Sequence, residues 1–595
     1  EKDTAARSMS VAMVYSQLEQ NTKALIGDNV TLKASHIGVG AKNEVPINDK
    51  AAEPFKVSEW SSLSDVYTGL KDMVGALSSP GDLPSQYANA TGDADKLGLA
   101  GAVSVMKNDI NAAAWVGDNS NLTTTGSGSW SSELWRDVDS DGKLLKLWTL
   151  QTDSWSNVTP ASGSNNWVAP LSLLAENRVE RLAVAGNFGI ALFGSKSEKG
   201  NAVGAGLNII LHDSSAIAGI GAATQVTTKG LSVAAKEKDL IIGISPSAGK
   251  GPSAAGNGSL VLALLNTRVN ASVNNGATVK ADRVDLDARH VLGLWSASGA
   301  LGFSEDTGVG VGVAVNQVTR DIQALIGDNR QWRALSGTGA LGVKSTWSVD
   351  ELDLQATSSG QSSAFSLAGG VARTDKEKQD ADTANQDASG GALSKATTLL
   401  EAVTQGVSNV LAEAKAKWNQ VKSLLDDDPT RTGNIPESAL AASGSASVNV
   451  SRQTTRARIA DIVLDPRDPS KGSKVSVLAL NQTHQLSGSG AGALTLAKNG
   501  NQSQTSSAIS GAIGANLLAN VTSAEVVNST FSSSDVLKVQ AATDGDLIAM
   551  GLGLSAATSG SQSNKAIALS GSYADFGNTT QALLQNSSVT GRQTA

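Results

Sequence analysis

The six residues ALIGDN at positions 24–29 return at 324–329, and the sequence around them returns as well. VAMVYSQLEQNTKALIGDNVTLKAS at 11–35 matches VGVAVNQVTRDIQALIGDNRQWRAL at 311–335 in pattern, and a weaker copy, AAAWVGDNSNL, lies at 112–122. A repeat of this kind indicates a stacked architecture, because each unit buries its apolar face against its neighbours.

A second motif follows ALIGDN, in which two apolar residues and an alanine alternate with other residues. Alternation with a period of two is typical of a strand with one buried face. Neighbouring copies without large insertions lie 53, 68 and 62 residues apart. The copies are Val30-Leu32-Ala34, Leu231-Val233-Ala235, Val284-Leu286-Ala288, Leu352-Leu354-Ala356, Val475-Val477-Ala479 and Leu537-Val539-Ala541.

Each copy is interpreted as four short strands: a Gly/Val/Ala alternation, the ALIGDN strand, the apolar-x-apolar-x-Ala strand and a Gly/Ser-rich apolar stretch. Four such strands in roughly 50–60 residues predict about two coils of an elongated all-β solenoid, stacked at the ~4.8 Å strand spacing. Leu25 or Ile26 is expected to fill the inner line of a coil. Gly27-Asp28-Asn29 is expected to turn the corner, because Gly and Asn accept a positive φ at little cost.

The composition fits a narrow core. Gly accounts for 61 of the 595 residues and aromatic residues for only 4%, so a core must be built from small and β-branched side chains. A string of immunoglobulin-like sandwiches fits poorly, because such domains span ~100 residues around buried aromatic anchors.

Charge and cysteine content exclude several functions. The formal net charge is −8, which argues against nucleic-acid binding, since phosphate contacts need clustered Lys and Arg. With no cysteine, the chain has no disulfides, zinc-thiolate sites or thiol nucleophiles. The longest uncharged apolar runs fall far short of the ~20 residues of a membrane span.

Three stretches interrupt the repeats. Two carry apolar residues at helical spacing, from Trp60 to Leu77 and from Leu393 to Leu425, and predict amphipathic helices. These helices are expected to pack against the solenoid or to offer a docking surface. The resulting division is β-solenoid at 1–41, 98–120, 171–374 and 441–595, helical insertions at 42–97 and 375–440, and a Trp-rich insertion at 121–170.

The Trp-rich insertion suggests carbohydrate binding. Indole faces stack on sugar rings, and a cluster of tryptophans in a loop therefore indicates a glycan site. The alternative is that the same side chains form the core of a small inserted domain. The glycan-binding candidates are Trp130, Trp135, Trp148 and Trp155, with Trp167 nearby.

The same insertion contains a candidate calcium loop, RDVDSDGKLLKLW. Its D-x-D-x-D-G order gathers three carboxylates, and Gly142 permits the sharp turn that a Ca²⁺ loop needs. Trp148 stands where an EF-hand places its bidentate Glu, so Glu133 or Asp153 would complete the shell. The alternative is an exposed acidic turn. The three carboxylates are Asp137, Asp139 and Asp141.

No catalytic constellation is evident, and the chain is expected not to be an enzyme. The sequence has neither a G-x-S-x-G elbow nor a P-loop. Asp285 and Asp287 alternate with inward Val284 and Leu286 and are expected to point outward, on either an active face or a solvated one. Four histidines, each alone and without metal-ligand spacing, are expected to be structural: His36, His212, His290 and His484.

With these strands in view, the chain resembles the repeat region of large bacterial surface proteins, the filamentous haemagglutinin-like and leukotoxin-like filamentous adhesins. The resemblance covers most of the chain outside the insertions. It implies an exported, right-handed parallel β-helical rod that attaches cells to surfaces, matrix or other cells. It transfers no catalytic residue.

The sequence thus predicts a stalk segment of a secreted or surface-attached bacterial adhesin, cut from something longer and active in biofilm or host attachment. The expected location is the bacterial cell surface or its exterior. The expected partners are extracellular polysaccharide and cell-surface glycan or protein, with self-association also open and with calcium as the cofactor. Two alternatives remain: a structural subunit of an extracellular filament or sheath, and a β-helical polysaccharide-processing enzyme.

Overall fold

The structure, a computed structural model, describes residues 6–45, 86–126, 169–187, 195–327, 344–374, 439–497, 506–558 and 564–591. Every regular element in these ranges is a β-strand. The predicted all-β class is therefore confirmed for the described part of the chain.

The strands range from 3 to 30 residues in length. In chain order they are β1 (Arg7–Ile26), β2 (Thr31–Ala34), β3 (Ile37–Val45), β4 (Gln86–Asn89), β5 (Gly92–Ala94), β6 (Leu97–Val116), β7 (Asn121–Thr124), β8 (Leu171–Gly186), β9 (Ser195–Ser197), β10 (Asn201–Ile220), β11 (Gln225–Thr227), β12 (Gly230–Gly251), β13 (Ala254–Val273), β14 (Thr278–Ser304), β15 (Thr307–Ile326), β16 (Ser345–Thr374), β17 (Ala439–Ala460), β18 (Ile462–Asp465), β19 (Ser473–Ala497), β20 (Ser506–Val527), β21 (Thr530–Asp544), β22 (Leu547–Thr558), β23 (Asn564–Gln585) and β24 (Ser588–Gly591).

The strands form two sheets, and all the strand pairs are parallel. The first sheet has eight strands in the order β1-β6-β10-β13-β15-β17-β20-β23. The second has sixteen and includes β3, β8, β12, β14, β16, β19, β21 and β22 together with the short strands. Each repeat thus contributes one long strand to the first sheet and then passes through a corner into the second.

The register of the second sheet follows the spacing of the sequence motif. Leu231 lies beside Val284, and Val284 lies beside Leu352. Val475 lies beside Leu537 in the same way. The spacings of 53, 68 and 62 residues therefore separate neighbouring strands, so each repeat forms one layer of the stack and the predicted two coils per repeat are wrong.

The prediction of four short strands per repeat is wrong. Thr307–Ile326 is one strand of 20 residues that covers both the Gly/Val/Ala alternation at 308–316 and ALI at 324–326. Thr278–Ser304 likewise joins the third and fourth predicted strands. The alternation of inward and outward residues continues across each predicted break, so nothing interrupts the strand.

The apolar core lies between the two sheets near the corners. Inward Ala216, Ala218 and Ile220 of the first sheet pack in the same cluster as Leu231 and Val233 of the second. Most of these side chains are completely buried. Ala, Val and Ile predominate in this cluster, as the composition predicted, while leucines together with Trp347 and Phe531 supply larger side chains.

The corner after ALI depends on all three residues of GDN. The Asp28 carboxylate accepts a hydrogen bond from the Asp118 N–H of the next repeat (2.8 Å), and Asp118 does the same for Ala222 N–H (2.7 Å). A Cβ at Gly117 would lie 2.2 Å from Asp28 Oδ1. Asn29 has a φ of 58°. The corner interpretation is confirmed, and Ile26 rather than the 63% exposed Leu25 faces the core.

The described strands correct the edges of the predicted insertions. β3 extends to Val45, and β4 and β5 lie inside the segment assigned to a helical insertion at 42–97. β7 lies inside 121–170, and β17 starts at Ala439, inside 375–440. The two predicted amphipathic helices lie outside the described residues.

Candidate functional site

A band of buried polar residues crosses the space between the sheets, halfway along the long strands. We call this band the polar seam. Because buried polar groups cost free energy unless they are paired, the seam is the chemically distinctive part of the interior. Its members are Asn43, Asn177, His212, Ser214, Glu237, Asp239, His290, Arg320, Ser358, Gln453, Asn481 and Thr483.

The centre of the seam is an aspartate between two histidines. His290 Nε2 lies 3.0 Å from Asp239 Oδ2, with hydrogen-bond geometry. His212 Nε2 lies 3.3 Å from Asp239 Oδ1, a separation without that geometry. All three side chains are fully buried. His212 comes from β10 of the first sheet, whereas Asp239 and His290 come from β12 and β14 of the second.

These contacts perturb the ionisation of the pair. Burial alone would raise the pKa of Asp239, but the two imidazoles outweigh burial and hold the pKa of this carboxyl well below its usual range. Burial lowers the pKa of His290, with Asp239 opposing the shift. An ionised Asp239 therefore accepts a hydrogen bond from the Nε2–H of a neutral His290.

Glu237 adds a second carboxyl beside Asp239. The two residues lie on the same face of β12, and Glu237 is 0% exposed. Burial, and then the charge of Asp239, raise the pKa of Glu237 well above its usual value, while Ser214 and Asn177 act in the opposite direction. Neither carboxyl oxygen has a hydrogen bond of good geometry. His212, Glu237 and Asp239 each offer one ligand atom, all within 4.8 Å of one another.

Arg320 extends the seam toward the later repeats. Its Nη1 donates to Ser359 O (2.8 Å), and its Nη2 donates to Thr483 Oγ1 (2.7 Å). The side chain is completely buried, and burial lowers its pKa to about 9. Arg320 belongs to the first sheet and both acceptors belong to the second, so this guanidinium links the sheets.

A separate ladder of asparagines links the sheets nearer the start of the strands. Asn316 Nδ2 donates to Asn449 Oδ1 and Asn449 Nδ2 donates to Asn516 Oδ1, each at 2.8 Å. Asn449 Nδ2 also donates to Leu486 O across the sheets (2.8 Å). This ladder satisfies its own polar atoms and has the character of a structural element.

The histidine prediction needs correction. His212 and His290 are not isolated, because the two sheets bring both to Asp239. His484 also has an acidic neighbour, with its Nδ1 3.4 Å from Asp546 Oδ2. Sequence spacing failed here because a ligand set drawn from opposite sheets has no fixed spacing along the chain.

The outward acids also differ from expectation. Asp285 and Asp287 do point away from the core, yet each is only 9% exposed. Arg283 Nε lies 3.1 Å from Asp285 Oδ1, and the same guanidinium contacts Glu351 (3.5 Å) and Asp353 (3.1 Å) of the next strand. The register gathers acids on consecutive repeats, but an arginine occupies their centre.

The remaining predicted sites lie outside the described residues. This holds for the calcium candidates Asp137, Asp139 and Asp141. It also holds for the glycan candidates Trp130, Trp135, Trp148 and Trp155. Both remain predictions.

No protein-family model, curated protein or solved structure matches this chain. Among the described residues, no helix has the length and apolar character to cross a membrane.

Proposed function

We propose that the chain is a right-handed β-solenoid and serves as the stalk of a bacterial surface adhesin. The observation that carries this proposal is the unbroken parallel register of the first sheet, in which each strand pairs along its length with the strand of the next repeat. Parallel pairing between successive repeats requires the chain to return to the same side each time, and such crossovers are right-handed in nearly all proteins.

A stack of this kind suits a mechanical role. Each repeat contacts mainly its neighbours, so length grows with the number of repeats while the cross-section stays constant. The rod would supply the length that separates the cell from its target, and the insertions would supply the binding surfaces. Several such surfaces on one rod would give multivalent attachment to extracellular polysaccharide or cell-surface glycan.

A filament subunit is a second candidate, and one surface favours it. Among the described strands, β1 lies at one edge of the first sheet and pairs only with β6. Its outward side chains form an exposed apolar stripe of Met9 (75%), Val11 (63%), Met13 (69%) and Tyr15 (56%). An open edge beside an apolar stripe is suited to pairing with another chain.

The test is a glycan array probed with the purified chain, with and without Ca²⁺. The matched variants are Asp137→Ala/Asp139→Ala/Asp141→Ala and, as a control, Asp213→Ala, which removes an exposed carboxylate on β10. Calcium-dependent binding that is lost only in the triple variant supports the adhesive stalk. Absence of binding together with concentration-dependent filaments in sedimentation contradicts it and favours the filament subunit.

A further inference from the structure

We infer that His212, Glu237 and Asp239 form a structural binding site for a divalent transition-metal ion of the Zn²⁺ class inside the fold. This site is separate from the calcium loop predicted in the Trp-rich insertion, and it does not depend on the proposed adhesive function. It is assigned from the geometry of the seam.

The three ligand atoms offered by these side chains suit a transition-metal ion. One imidazole nitrogen and two carboxylate oxygens lie within 4.8 Å of one another, and Zn²⁺ binds this combination at ~2.0–2.2 Å. Ca²⁺ prefers six to eight oxygen ligands, so an imidazole and two carboxylates suit the transition metal better.

Several buried polar atoms of the same three side chains lack a hydrogen-bond partner of good geometry. Both ring nitrogens of His212, both carboxyl oxygens of Glu237 and Oδ1 of Asp239 are buried without a hydrogen bond of good geometry. Such atoms are costly in an interior unless they meet a partner. A cation between the three side chains would supply a partner for one atom of each.

The two neighbouring carboxyl groups of the cluster also call for a compensating positive charge. Two carboxyls two residues apart on the same face of β12 are both completely buried, and nearby like charges oppose each other's ionisation. A divalent cation would neutralise both. His290 then acts as a positioning residue. Its Nε2–H donates to Asp239 Oδ2 at 3.0 Å, and this bond orients the other oxygen, Oδ1, toward His212.

Neighbouring repeats show what these positions contain without such a cluster. In register, Leu265 follows His212 in the first sheet. Asn177 precedes Glu237, and Leu292 follows Asp239, in the second. His290 follows Glu237 in the same register, so an imidazole takes the place of one acid in the next repeat, and neither adjacent repeat carries the full set of one imidazole and two carboxylates.

The site would be filled during folding, because its ligands are less than 2% exposed and a buried ion cannot exchange quickly. The experiment therefore refolds the full chain from denaturant with Co²⁺, with Zn²⁺ or with EDTA, removes free metal by gel filtration, and measures metal content and visible absorption. The test variant is His212→Leu/Glu237→Asn/Asp239→Leu, which borrows the residues of adjacent repeats. His36→Asn is the control, since His36 is outside the cluster.

We expect one metal ion per wild-type or His36→Asn chain, and none in the triple variant. Co²⁺ should give visible absorption bands in the first two proteins only. Free metal at about 100 times Kd should raise the wild-type melting temperature by about 2 °C. His290→Gln should weaken binding by about tenfold or more without abolishing it.

Two results would overturn the proposal: wild-type chain that refolds to the same β-sheet spectrum without retaining metal, or equal metal retention in a folded triple variant. Should the triple variant fail to fold, Glu237→Gln alone decides, because it keeps the volume of the side chain and removes the anionic ligand. Undiminished retention of Co²⁺ by that variant would count against the site.

Discussion

At the scale of single residues, a few residues at fixed positions in each repeat determine how the chain turns and stacks. The GDN corner is the plainest case. The Asp carboxylate of one repeat occupies the position where a Cβ of the next repeat's glycine would lie, at Gly117 and again at Gly221. Glycine is therefore needed at these positions for space, whereas Asn29 and Asn119 supply the positive φ of the corner.

Asn449 offers a direct test of the asparagine ladder. Its amide makes three hydrogen bonds of 2.8 Å, to Asn316, Asn516 and Leu486 O. We expect Asn449→Leu, which is similar in size, to lower the free energy of unfolding by about 3 kcal/mol or more, because several buried partners lose their bonds. Chemical denaturation measures the change.

The matched control is Asn266→Leu. Asn266 also bonds a residue of the adjacent repeat, Asp213, but does so in solvent (3.2 Å). We expect a change within about 0.5 kcal/mol there. Equal losses at the two positions would show that the ladder contributes no more than a surface pair.

At the scale of the strand, β14 combines a core face with an outer face that is also covered. Val284 and Leu286 pack in the core, while Asp285 on the other face is 9% exposed. Burial raises the pKa of Asp285 to about 7, with Arg283 opposing the shift. The unfolded chain has an ordinary aspartate, so the two states differ most between about pH 4 and pH 7.

This difference predicts a pH dependence for Asp285→Asn. A folded-state pKa above the unfolded value means that the folded protein keeps the proton longer, so wild-type stability relative to the variant falls as pH rises from about 4 to about 7. The fall should amount to about 4 kcal/mol at most and level off above pH 7. Denaturation across this range measures it, with Asp213→Asn as the exposed control.

A stability difference between wild type and Asp285→Asn that stays constant from pH 4 to pH 8 would contradict the raised pKa. It would mean that the bond from Arg283 Nε at 3.1 Å keeps the carboxylate ionised despite its burial. Asp213→Asn makes the same chemical change at an exposed position of β10 and therefore controls for the substitution itself.

Strands also show where sequence reasoning succeeded and failed. The alternation of Leu231, Val233 and Ala235 predicted a buried face, and all three are 0% exposed. Strand length cannot be obtained in the same way, because no residue in Thr307–Ile326 marks the boundary that we predict between the Gly/Val/Ala alternation and ALI.

Only part of the polar seam can be predicted from the sequence. Glu237 and His290 are 53 residues apart, so the repeat spacing alone could have placed them side by side. The approach of His212 to Asp239 depends on how one sheet faces the other. No period in the sequence encodes that distance, and lone histidines were accordingly interpreted as structural.

At the scale of the whole molecule, the account depends on stacking. In the first sheet, each strand pairs in parallel with one register per neighbour. Along the strand direction the interior is divided into apolar clusters, the asparagine ladder and the polar seam. Local contact between neighbours predicts that a whole repeat can be removed if the register is kept.

One paired deletion tests this claim most directly. Removing residues 210–262 joins Ile209 to Ala263. Ala263 then occupies the position of Ile210, beside which it lies in the wild type, so the register of the stack is kept. Removing residues 210–263 deletes one residue more and sends every following side chain of the strand to the opposite face. Far-ultraviolet circular dichroism during denaturation measures both variants beside the wild type.

We predict that the first variant keeps the wild-type β-sheet spectrum per residue and unfolds cooperatively, in a particle shorter by about 4.8 Å. The second should be unfolded or aggregated, since its core residues would face solvent. If both variants fold equally well, or if neither folds, the stacked-repeat account is contradicted.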